Sequence, residues 1–483
     1  MGEHVFDSMK TIDLEQQNTI HELACRVLSE AGIHFGQSEA HEIFNKHGFK
    51  IDGEKVFFTK NQIERALLTA PKEFDIIAPD ISKKIHVGGT SRTYTSSSSV
   101  RIQDLNGTVR QASSDDYIKA LKLIQGLDII TCCFEYVVPC DVPQKYYLLF
   151  NLCAQMLTID KPLSCQQIMA IPMLEMFYNT TRLKMCESAK NGLAYGLSYV
   201  NPLSPLAMSS YEANKLINFC RAGIAIAISP FGLCGMTAPC TIEGLVVQQT
   251  AEILASVVLS QLVSEGAPVL YGCLGGITNM RNMFAPVGSP EGRIIEHTAA
   301  QMARFYKIPS RSLIGMTDAN EISYQCGAES MLNFVITARS GANVLTGIGS
   351  YANWMIASYE KLVLDSECIA YIERLLRPLD FSESRAAAEI ITNVGPYGSY
   401  ITEEHTLEHF RDEFLATEIF DRQSYDKYFF DDHYTMKDKI SKKIDELLLG
   451  YERPYVEQTT KKQIKGFCES HGLGDIIKNR FED

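Results

Sequence analysis

The sequence has few of the motifs that mark a metal centre, a disulfide framework or a covalent catalyst. Its 14 cysteines include no C-x-x-C pair, and several lie within apolar runs. Such scatter is typical of buried, reduced thiols and argues against an iron–sulfur cluster or a structural zinc. The sequence has no histidine cluster with metal-ligand spacing, no P-loop and no nucleophile elbow. No lysine closes a predicted strand, as a Schiff-base aldolase would require.

Basic residues are also fewer than acidic ones. The chain has 45 Lys and Arg residues against 58 Asp and Glu residues, a formal net charge of −13 at pH 7. No basic stripe interrupts this balance, so a nucleic-acid partner is disfavoured. The N-terminus has no apolar stretch of signal-peptide length, and the apolar segments 224–233 and 254–262 are too short to span a bilayer. We therefore expect a cytoplasmic protein without a membrane partner.

Three regions differ in their patterns. Residues 1–120 mix helical stripes with short extended segments, including the Ser-rich stretch 91–99, and are predicted to form an α+β extension. Residues 121–436 are more regular, and residues 437–483 form a helical extension that covers the central region or serves a subunit contact. The helices predicted for the two outer regions span 16–31, 38–47, 61–69, 437–449 and 459–469.

The central region alternates between strand-like and helix-like segments. Parallel strands need crossover helices, and seven consecutive units without a G-x-G-x-x-G favour a barrel over an open doubly wound sheet. The fold class is therefore α/β, a (β/α)8 TIM barrel with an N-terminal α+β extension and C-terminal helices. The predicted strands span 128–138, 162–169, 192–200, 224–233, 268–273, 312–316 and 343–347, with an eighth at 394–401. The helices predicted between these strands include 173–187, 290–306 and 359–376.

Aromatic residues recur where the predicted strands end, which is where such a barrel places its active site. The loops at these strand ends surround an opening, called the mouth below. A mouth that is lined by aromatic rings and has no fixed anion suits a quaternary ammonium, because each ring contributes about 0.5–2 kcal/mol of cation–π attraction. Core packing is the alternative for any single ring. Trp354 is the strongest candidate, since it follows a glycine-rich strand end and adjoins polar Asn353. The aromatic set is Tyr195, Tyr199, Tyr271, Tyr351 and Trp354.

Two arginines fall near the same predicted mouth. Arg281 and Arg311 each carry a guanidinium fork whose geometry suits a substrate carboxylate. The alternative for each is an ordinary surface or interhelical arginine. The sequence does not choose between the two arginines.

Several segments resemble one known family. Residues 285–291 read APVGSPE, residues 235–241 read GMTAPCT and are followed by QQ at 248–249, residues 340–343 read SGAN, and residues 405–411 read HTLEHFR. These segments are similar to motifs of the trimethylamine methyltransferase family. The resemblance extends from about residue 31 to about residue 422, and its APVGSPE and HTL-x-HFR matches are long enough to be specific.

The resemblance implies a substrate through one departure from the family pattern. Members that use trimethylamine carry pyrrolysine before a Ser-Asp-Ala triplet, and the matching stretch Gly315–Ala319 places Met316 at or next to that position. A methionine cannot form the amine adduct that pyrrolysine is thought to form. Non-pyrrolysine members demethylate glycine betaine, proline betaine, carnitine or γ-butyrobetaine, whose nitrogen already carries the charge that makes it a leaving group. Glycine betaine is the preferred expectation.

The resemblance also implies partners and residue roles. The methyl acceptor would be Co(I) of a corrinoid (cobalamin) carried by a separate protein, in one-carbon metabolism, with no cofactor or metal bound in this chain and a homo-oligomeric assembly. Two other functions remain open: a different barrel lyase or aldolase, and a non-catalytic betaine sensor. The candidate catalytic residues are Met316, Gln325 and Glu329, although the last two would equally suit a solvent-facing helix start. The candidate substrate-binding residues are Tyr94, Tyr199, Arg281, Arg311, Tyr351, Asn353 and Trp354.

Overall fold

The N-terminal helices begin where the sequence supplies polar caps. In the computed structural model, which describes residues 10–430 and 434–481, Asp13 caps the first helix by accepting a hydrogen bond from the Gln16 backbone, and Thr59 caps the third in the same way. The predicted helices at 16–31, 38–47 and 61–69 are confirmed within two residues at each end. This region contains α1 (Leu14–Glu30), β1 (Ile33–Phe35), α2 (Ser38–Lys46), β2 (Lys50–Asp52), β3 (Lys55–Phe57), α3 (Lys60–Thr69), β4 (Glu73–Ile76) and β5 (Ile85–Gly88).

The central region alternates strands and helices, as its hydrophobic pattern predicts. Two predicted helices are confirmed to the residue, at Pro290–Tyr306 and Tyr359–Leu376. The first part contains β6 (Thr93–Ser96), β7 (Arg101–Gln103), β8 (Val109–Gln111), α4 (Ser114–Gly126), α5 (Tyr147–Thr158), α6 (Ile171–Phe177), α7 (Arg182–Lys190), β9 (Leu193–Ala194), β10 (Leu197–Val200), β11 (Ala207–Met208) and α8 (Ser210–Arg221). The second part contains β12 (Ala225–Ile228), β13 (Leu233–Cys234), α9 (Ile242–Val263), β14 (Val269–Cys273), β15 (Gly276–Ile277), α10 (Pro290–Tyr306), β16 (Ser310–Leu313), α11 (Tyr324–Arg339), β17 (Val344–Ile348), β18 (Ser350–Tyr351), β19 (Ile356–Ser358) and α12 (Tyr359–Leu376).

A curled parallel sheet lies at the centre of the molecule. Its six strands run in the order β10, β12, β14, β16, β17, β6, and all neighbours are parallel. Single bridges extend the sheet at both sides, from Thr95 to Cys132 and from Ser164 to Leu197. Between these two added segments the described residues show no strand pairing, although the Cys132 thiol donates to the Pro162 carbonyl at 3.5 Å. The α/β class and the parallel arc are confirmed, and closure into eight strands stays a prediction.

The predicted eighth strand at 394–401 is wrong. That segment follows a helix, Ala388–Val394, and most of its residues are exposed. The place beside β17 belongs to β6 instead, whose Thr93, Tyr94 and Thr95 pair with Val344, Leu345 and Thr346. Its Thr-Tyr-Thr-Ser sequence is polar and does not resemble a buried strand, so the sequence pattern places it in the N-terminal extension. The proposed domain limit at residue 120 stays a prediction.

Helix α9 is apolar on every side. It is long and apolar enough to cross a bilayer, but 72% of its apolar window is buried inside the protein. It packs against α1, α3, α8 and α10. A helix that is hydrophobic all round and covered by neighbours is a core helix of a globular protein.

The C-terminal helices cover the outside of the sheet and its helices. Helix α17 packs on α4 and α12, and α18 packs on α5 and α6, so the predictions at 437–449 and 459–469 are confirmed within one residue at each end. This region contains α13 (Glu383–Ala386), α14 (Ala388–Val394), α15 (Glu404–Glu413), α16 (Tyr425–Phe430), α17 (Met436–Leu449), α18 (Gln458–Ser470) and α19 (Gly474–Phe481).

Candidate functional site

An apolar cluster forms at the carboxyl ends of the central strands. The edges of Phe231 and Trp354 meet, with ring centroids 5.8 Å apart and an interplanar angle of 67°. Met316 is fully buried beneath them. Loops that follow β12, β14, β16 and β17 all contribute, as the barrel rule predicts for a site. The cluster consists of Phe231, Leu274, Val287, Leu313, Met316 and Trp354.

The backbone around Met316 is held by helices α11 and α12. The Met316 amide donates to Asn333 Oδ1 at 3.1 Å, and the Gly315 carbonyl accepts from Ser330 Oγ at 3.1 Å. Gly347 allows the close approach, because a Cβ at that residue would lie 2.8 Å from Met316 Sδ and its φ is +139°. Met316 is therefore fixed in place.

A buried ion pair connects the Met316 loop with the loop after β17. Lys361 and Asp365 pair on one face of α12, both about 2% exposed or less. Lys361 Nζ also donates to the Gly315 carbonyl at 3.2 Å, and Asp365 Oδ2 accepts from the Gly349 amide at 2.8 Å. Burial alone would lower the pKa of Lys361, but the Asp365 carboxylate reverses that effect and raises it. The pair lies on a helix and not at a strand end, and its i,i+4 Lys–Asp spacing is the sequence signal that could have found it.

The Trp354 loop has an unusual backbone. Ala352, Asn353 and Trp354 all have positive φ, between 51° and 63°, which costs non-glycine residues free energy. Neighbouring loops hold this conformation, because the Asn353 amide donates to the Thr317 carbonyl at 3.1 Å and the Ala352 amide donates to the Ala319 carbonyl at 3.0 Å. Asn353 Nδ2 donates to the Ala285 carbonyl at 2.7 Å. Strain sustained by such contacts is a feature of functional sites.

Two carboxylates join the same loops from the other side. Glu329 Oε2 accepts from Thr317 Oγ1 at 2.7 Å and from the Asp318 amide at 2.8 Å, while Glu329 Oε1 accepts from Gln325 Nε2 at 2.8 Å. Asp318 accepts from the amides of Val287 and Gly288 at 2.8 and 3.0 Å. Burial, with Glu329 nearby, raises the pKa of Asp318. Gln325 and Glu329 thus contact the loop that carries Met316.

A polar layer lies beneath the apolar cluster. Arg311 precedes Leu313 by two residues on β16, so the two share a face and lie about 6.6 Å apart along the strand. The Arg311 guanidinium carbon lies 4.8 Å from the centre of the Tyr199 ring. Thr346 Oγ1 joins them, at 3.3 Å from Arg311 Nε and 3.2 Å from the Tyr199 hydroxyl. A buried cation therefore lies under an apolar and aromatic lid.

Buried hydroxyl groups line the same interior. Thr95 pairs with Thr346 in register, so it faces the interior that Thr346 faces, and Ser97 and Ser99 follow just after β6 ends at Ser96. The hydroxyls of all three are buried without a hydrogen-bond partner among the described residues. Buried polar groups are normally paired, so orphaned ones in a row are suited to accept or donate to a ligand. The sequence pattern of this serine-rich stretch predicts an extended segment and gives no indication of a site.

Several predicted residues lie away from this interior. The Tyr94 hydroxyl donates to Glu373 on α12, outside the sheet, and Tyr271 meets Thr250 on α9 at 2.8 Å. Tyr195 packs against Tyr178. Arg281 is exposed on the turn at 279–284, where its amide donates to Asn279 Oδ1. Tyr94 on β6 and Tyr271 on β14 point outward because alternate residues of a strand face opposite sides, whereas Tyr195 and Arg281 lie outside the strands.

The remaining predicted residues share the interior or its rim. Met316 and Trp354 meet in the apolar cluster, Tyr199 and Arg311 meet below it, and Asn353 fixes the Trp354 loop. Tyr351 is fully buried, and burial raises its pKa to about 12. Within residues 10–430 and 434–481, His, Cys, Asp and Glu side chains form no group of three or more that could hold a metal ion. The arrangement suits a small molecule with a methylated cation at one end and an anion at the other.

A family model and relatives that cover nearly the whole chain indicate one family, and a solved structure shares the fold. A family model described as trimethylamine methyltransferase (MTTB) matches residues 3–472. The chain is 28% identical to a glycine betaine methyltransferase of Desulfitobacterium hafniense, covering 95% of this chain and 96% of that one. It is 29% identical to a proline betaine:corrinoid methyltransferase of Eubacterium limosum, covering 94% and 96%. The solved monomethylamine methyltransferase of Methanosarcina barkeri shares the fold, with a TM-score of 0.50 and 13% identity over 92% of this chain and 89% of that one.

Proposed function

This chain belongs to the trimethylamine methyltransferase family, and from that premise we propose that it transfers a methyl group from a quaternary amine to Co(I) of a separate corrinoid protein. Relatives that cover nearly the whole chain are named for betaine substrates and for corrinoid methyl transfer. The observation that carries the proposal is the apolar and aromatic cluster directly above buried Arg311. Glycine betaine is the proposed substrate.

The ammonium end of the substrate would contact the apolar cluster. The faces and edges of Trp354 and Phe231 offer cation–π and methyl contacts, each worth about 0.5–2 kcal/mol when desolvated. Met316 occupies the interior where trimethylamine relatives are expected to place pyrrolysine, and its thioether forms no adduct with an amine. A quaternary nitrogen needs no such adduct because it already carries its charge. The residues therefore act by positioning and by excluding water.

The carboxylate end would enter the polar layer. A guanidinium group donates paired hydrogen bonds to a carboxylate, and Arg311 is 6% exposed. Hydroxyls of Thr95, Ser97 and Thr346 would complete the contacts, since the first two have no partner among the described residues. Arg281 is exposed on a turn, so it is not the proposed carboxylate ligand.

The proposed methyl transfer is an in-line displacement in which one bond breaks as another forms. The C–N bond breaks with its electron pair left on nitrogen, which leaves dimethylglycine as the tertiary amine product when the substrate is glycine betaine. The reduced corrinoid of the partner supplies the electron pair that forms the new bond to the methyl group. The chain's own contribution is to align the N–CH3 bond with the mouth and to keep the cation desolvated.

Direct transfer requires the acceptor cobalt to come within bonding distance of the substrate methyl group. The corrinoid partner would therefore dock on the rim of the mouth. Loops after β12, β14 and β17 expose apolar side chains around the Trp354 cluster. Methionine is a flexible side chain that adapts to varied partner surfaces. The rim consists of Met236, Met280, Met283, Phe284 and Met355, all of which are between 40% and 67% exposed.

The experiment that tests the proposal is methylation of a reduced Co(I) corrinoid protein, or free cob(I)alamin, followed by the visible spectrum. A panel of glycine betaine, proline betaine, carnitine, γ-butyrobetaine and trimethylamine would be compared. We expect spectral conversion with a betaine and none with trimethylamine. Betaine binding without transfer to any acceptor would contradict the proposal and favour the sensor. Loss of activity after borohydride treatment with substrate would favour a lyase.

A further inference from the structure

A long segment after α12 lacks any buried residue. We call residues 377–418, which include α13, α14 and α15, the arm. Every residue of the arm is described, and each is exposed or only partly covered, whereas Leu376 and Ile419 at its two ends are buried. A globular protein normally buries one face of each helix. The arm therefore has no core of its own within a single chain.

The arm is nevertheless rich in apolar side chains. Leu379 is 73% exposed, Phe381 is 81% exposed and Ile401 is 78% exposed. Tyr397, Leu407 and Phe414 are largely exposed as well. Six side chains of this size amount to on the order of 800 Å² of surface per chain. A standard protein–protein interface buries about 800 Å² per partner, so the arm alone can form one.

Ion pairs give the arm a defined shape. Arg377 pairs with Asp412 at 2.6 Å, and Arg385 pairs with Asp412 at 2.7 Å and with Glu413 at 3.0 Å. Arg374 on α12 also pairs with Glu413. These contacts fold α15 back onto the end of α12. The arm thus presents its apolar side chains on a preformed surface.

An apolar groove lies where the arm meets α11 and α12, and the arm itself forms part of its lining. It has a volume of about 590 Å³ and lies on the outer faces of α11 and α12. In a monomeric chain these outer helix faces would contact water, and helix faces that contact water are normally polar. The lining includes the apolar side chains of Met331, Val335, Ile372, Leu375, Leu379 and Leu415, together with Tyr371 and three arginines.

We propose that the arm packs on a second copy of this chain, with its apolar side chains covered by the partner's arm and groove. The exposed area favours a permanent partner, because a bare apolar surface of this size causes association in water. A methyl-acceptor protein that departs after each turnover would leave it bare repeatedly. The arm also holds nine Asp and Glu residues against three Arg and no Lys, which disfavours an anionic membrane surface.

Sedimentation velocity of the full chain at micromolar concentrations tests the proposal. We expect the wild type to sediment as a dimer or a larger assembly. The double variant Phe381→Glu with Ile401→Glu should associate at least about a hundredfold more weakly, because charged groups replace two central apolar contacts. Leu68→Glu is the matched control, since Leu68 is 85% exposed on α3, away from the arm. It should keep the wild-type assembly.

Circular dichroism would show that the double variant is folded, which is expected because neither side chain is buried. Amide hydrogen exchange across α15 supplies a second measurement, with slow exchange expected in the wild type and fast exchange in the double variant. A wild-type monomer would overturn the proposal. So would an unchanged assembly in the double variant, or protection of the arm only when a corrinoid protein is added.

Discussion

At the scale of single residues, the two candidate arginines have opposite surroundings. Arg311 lies in the interior against Tyr199 and Thr346, and Arg281 lies on an exposed turn. Both are guanidinium groups near strand ends in the sequence, so composition could not separate them. What separates them is the face of the strand or loop that each occupies.

Replacement of Arg311 by Gln should weaken betaine use. Loss of charge-assisted hydrogen bonds of about 1.5–3 kcal/mol implies a KM about 10- to 150-fold higher. Arg281→Gln is the control and should change KM less than about twofold. Steady-state methyl transfer gives both values, and thermal unfolding checks that each variant is folded. An equal effect of the two substitutions would contradict the proposed carboxylate site.

Replacement of Trp354 by Ala should reduce affinity for the cation. A lost cation–π contact of about 0.5–2 kcal/mol implies a rise in KM of roughly 2- to 30-fold. Trp354→Phe should recover part of the loss, because it restores a ring. Tyr94→Phe is an aromatic control outside the interior, where its hydroxyl donates to Glu373. If Trp354→Ala leaves betaine affinity and turnover unchanged, the proposed contact between Trp354 and the substrate ammonium is wrong.

Glu135 should make stability depend on pH. Burial raises the pKa of this carboxyl from 4.5 to about 7, although Lys215 nearby opposes the rise. The folded state therefore favours the neutral acid, and the associated stability is present below pH 4.5 and is lost as pH rises through 7. The loss amounts to about 3 kcal/mol. Glu135→Gln should raise the unfolding temperature at pH 8 and change it little at pH 5, whereas an equal change at both would contradict this linkage.

At the scale of elements, helix ends were predicted best where a cap and a hydrophobic stripe coincide. Helix α10 begins at Pro290 after Ser289, and α12 begins after Ser358, and both match their predicted limits. The predicted helix 173–187 is instead two helices, since the chain turns at Asn179, where φ is +45°. Strand β6 was missed because its residues are polar and hydroxyl-bearing while its neighbours bury it.

The Lys361–Asp365 pair should hold the Met316 loop and the loop after β17 in fixed positions relative to each other. Asp365→Ala would leave a buried lysine without its carboxylate, which costs about 3–5 kcal/mol, and should also lower kcat. The double variant Lys361→Met with Asp365→Leu should recover stability without recovering kcat, because the Gly315 and Gly349 contacts stay broken. Asp421→Asn, in the more exposed pair with Lys439, is the control and should cost less than about 1 kcal/mol. Full recovery of kcat in the double variant would show that the pair does not position the loops.

At the scale of the whole molecule, one end of the sheet carries the site and its rim, and the arm lies on the outside of α11 and α12. The two surfaces differ in the partner that each suits. In the two proposals, the rim would receive an acceptor protein that arrives and leaves, and the arm would pack on a second copy that stays. The two proposals together would let the chain assemble and exchange its acceptor through separate surfaces.

Substitution on the rim should affect the acceptor protein and spare the amine. Met280→Glu with Phe284→Glu should lower the rate with a corrinoid protein by about tenfold or more, because two exposed apolar contacts become charged. Betaine binding by calorimetry should be unchanged. Met436→Glu, an exposed methionine on α17, is the control. Equal rates with the corrinoid protein would contradict docking on the rim.

The sequence by itself determined the family, the α/β class and most helix limits, because these depend on motifs and on periodicity within a short stretch of chain. Only the tertiary structure decided that β6 joins β17, that Arg311 faces inward while Tyr94 faces outward, and that the arm is left without a core. Each of these depends on the register between segments far apart in the chain. A shift of one residue in that register reverses which side chains face the interior, and no local pattern encodes it.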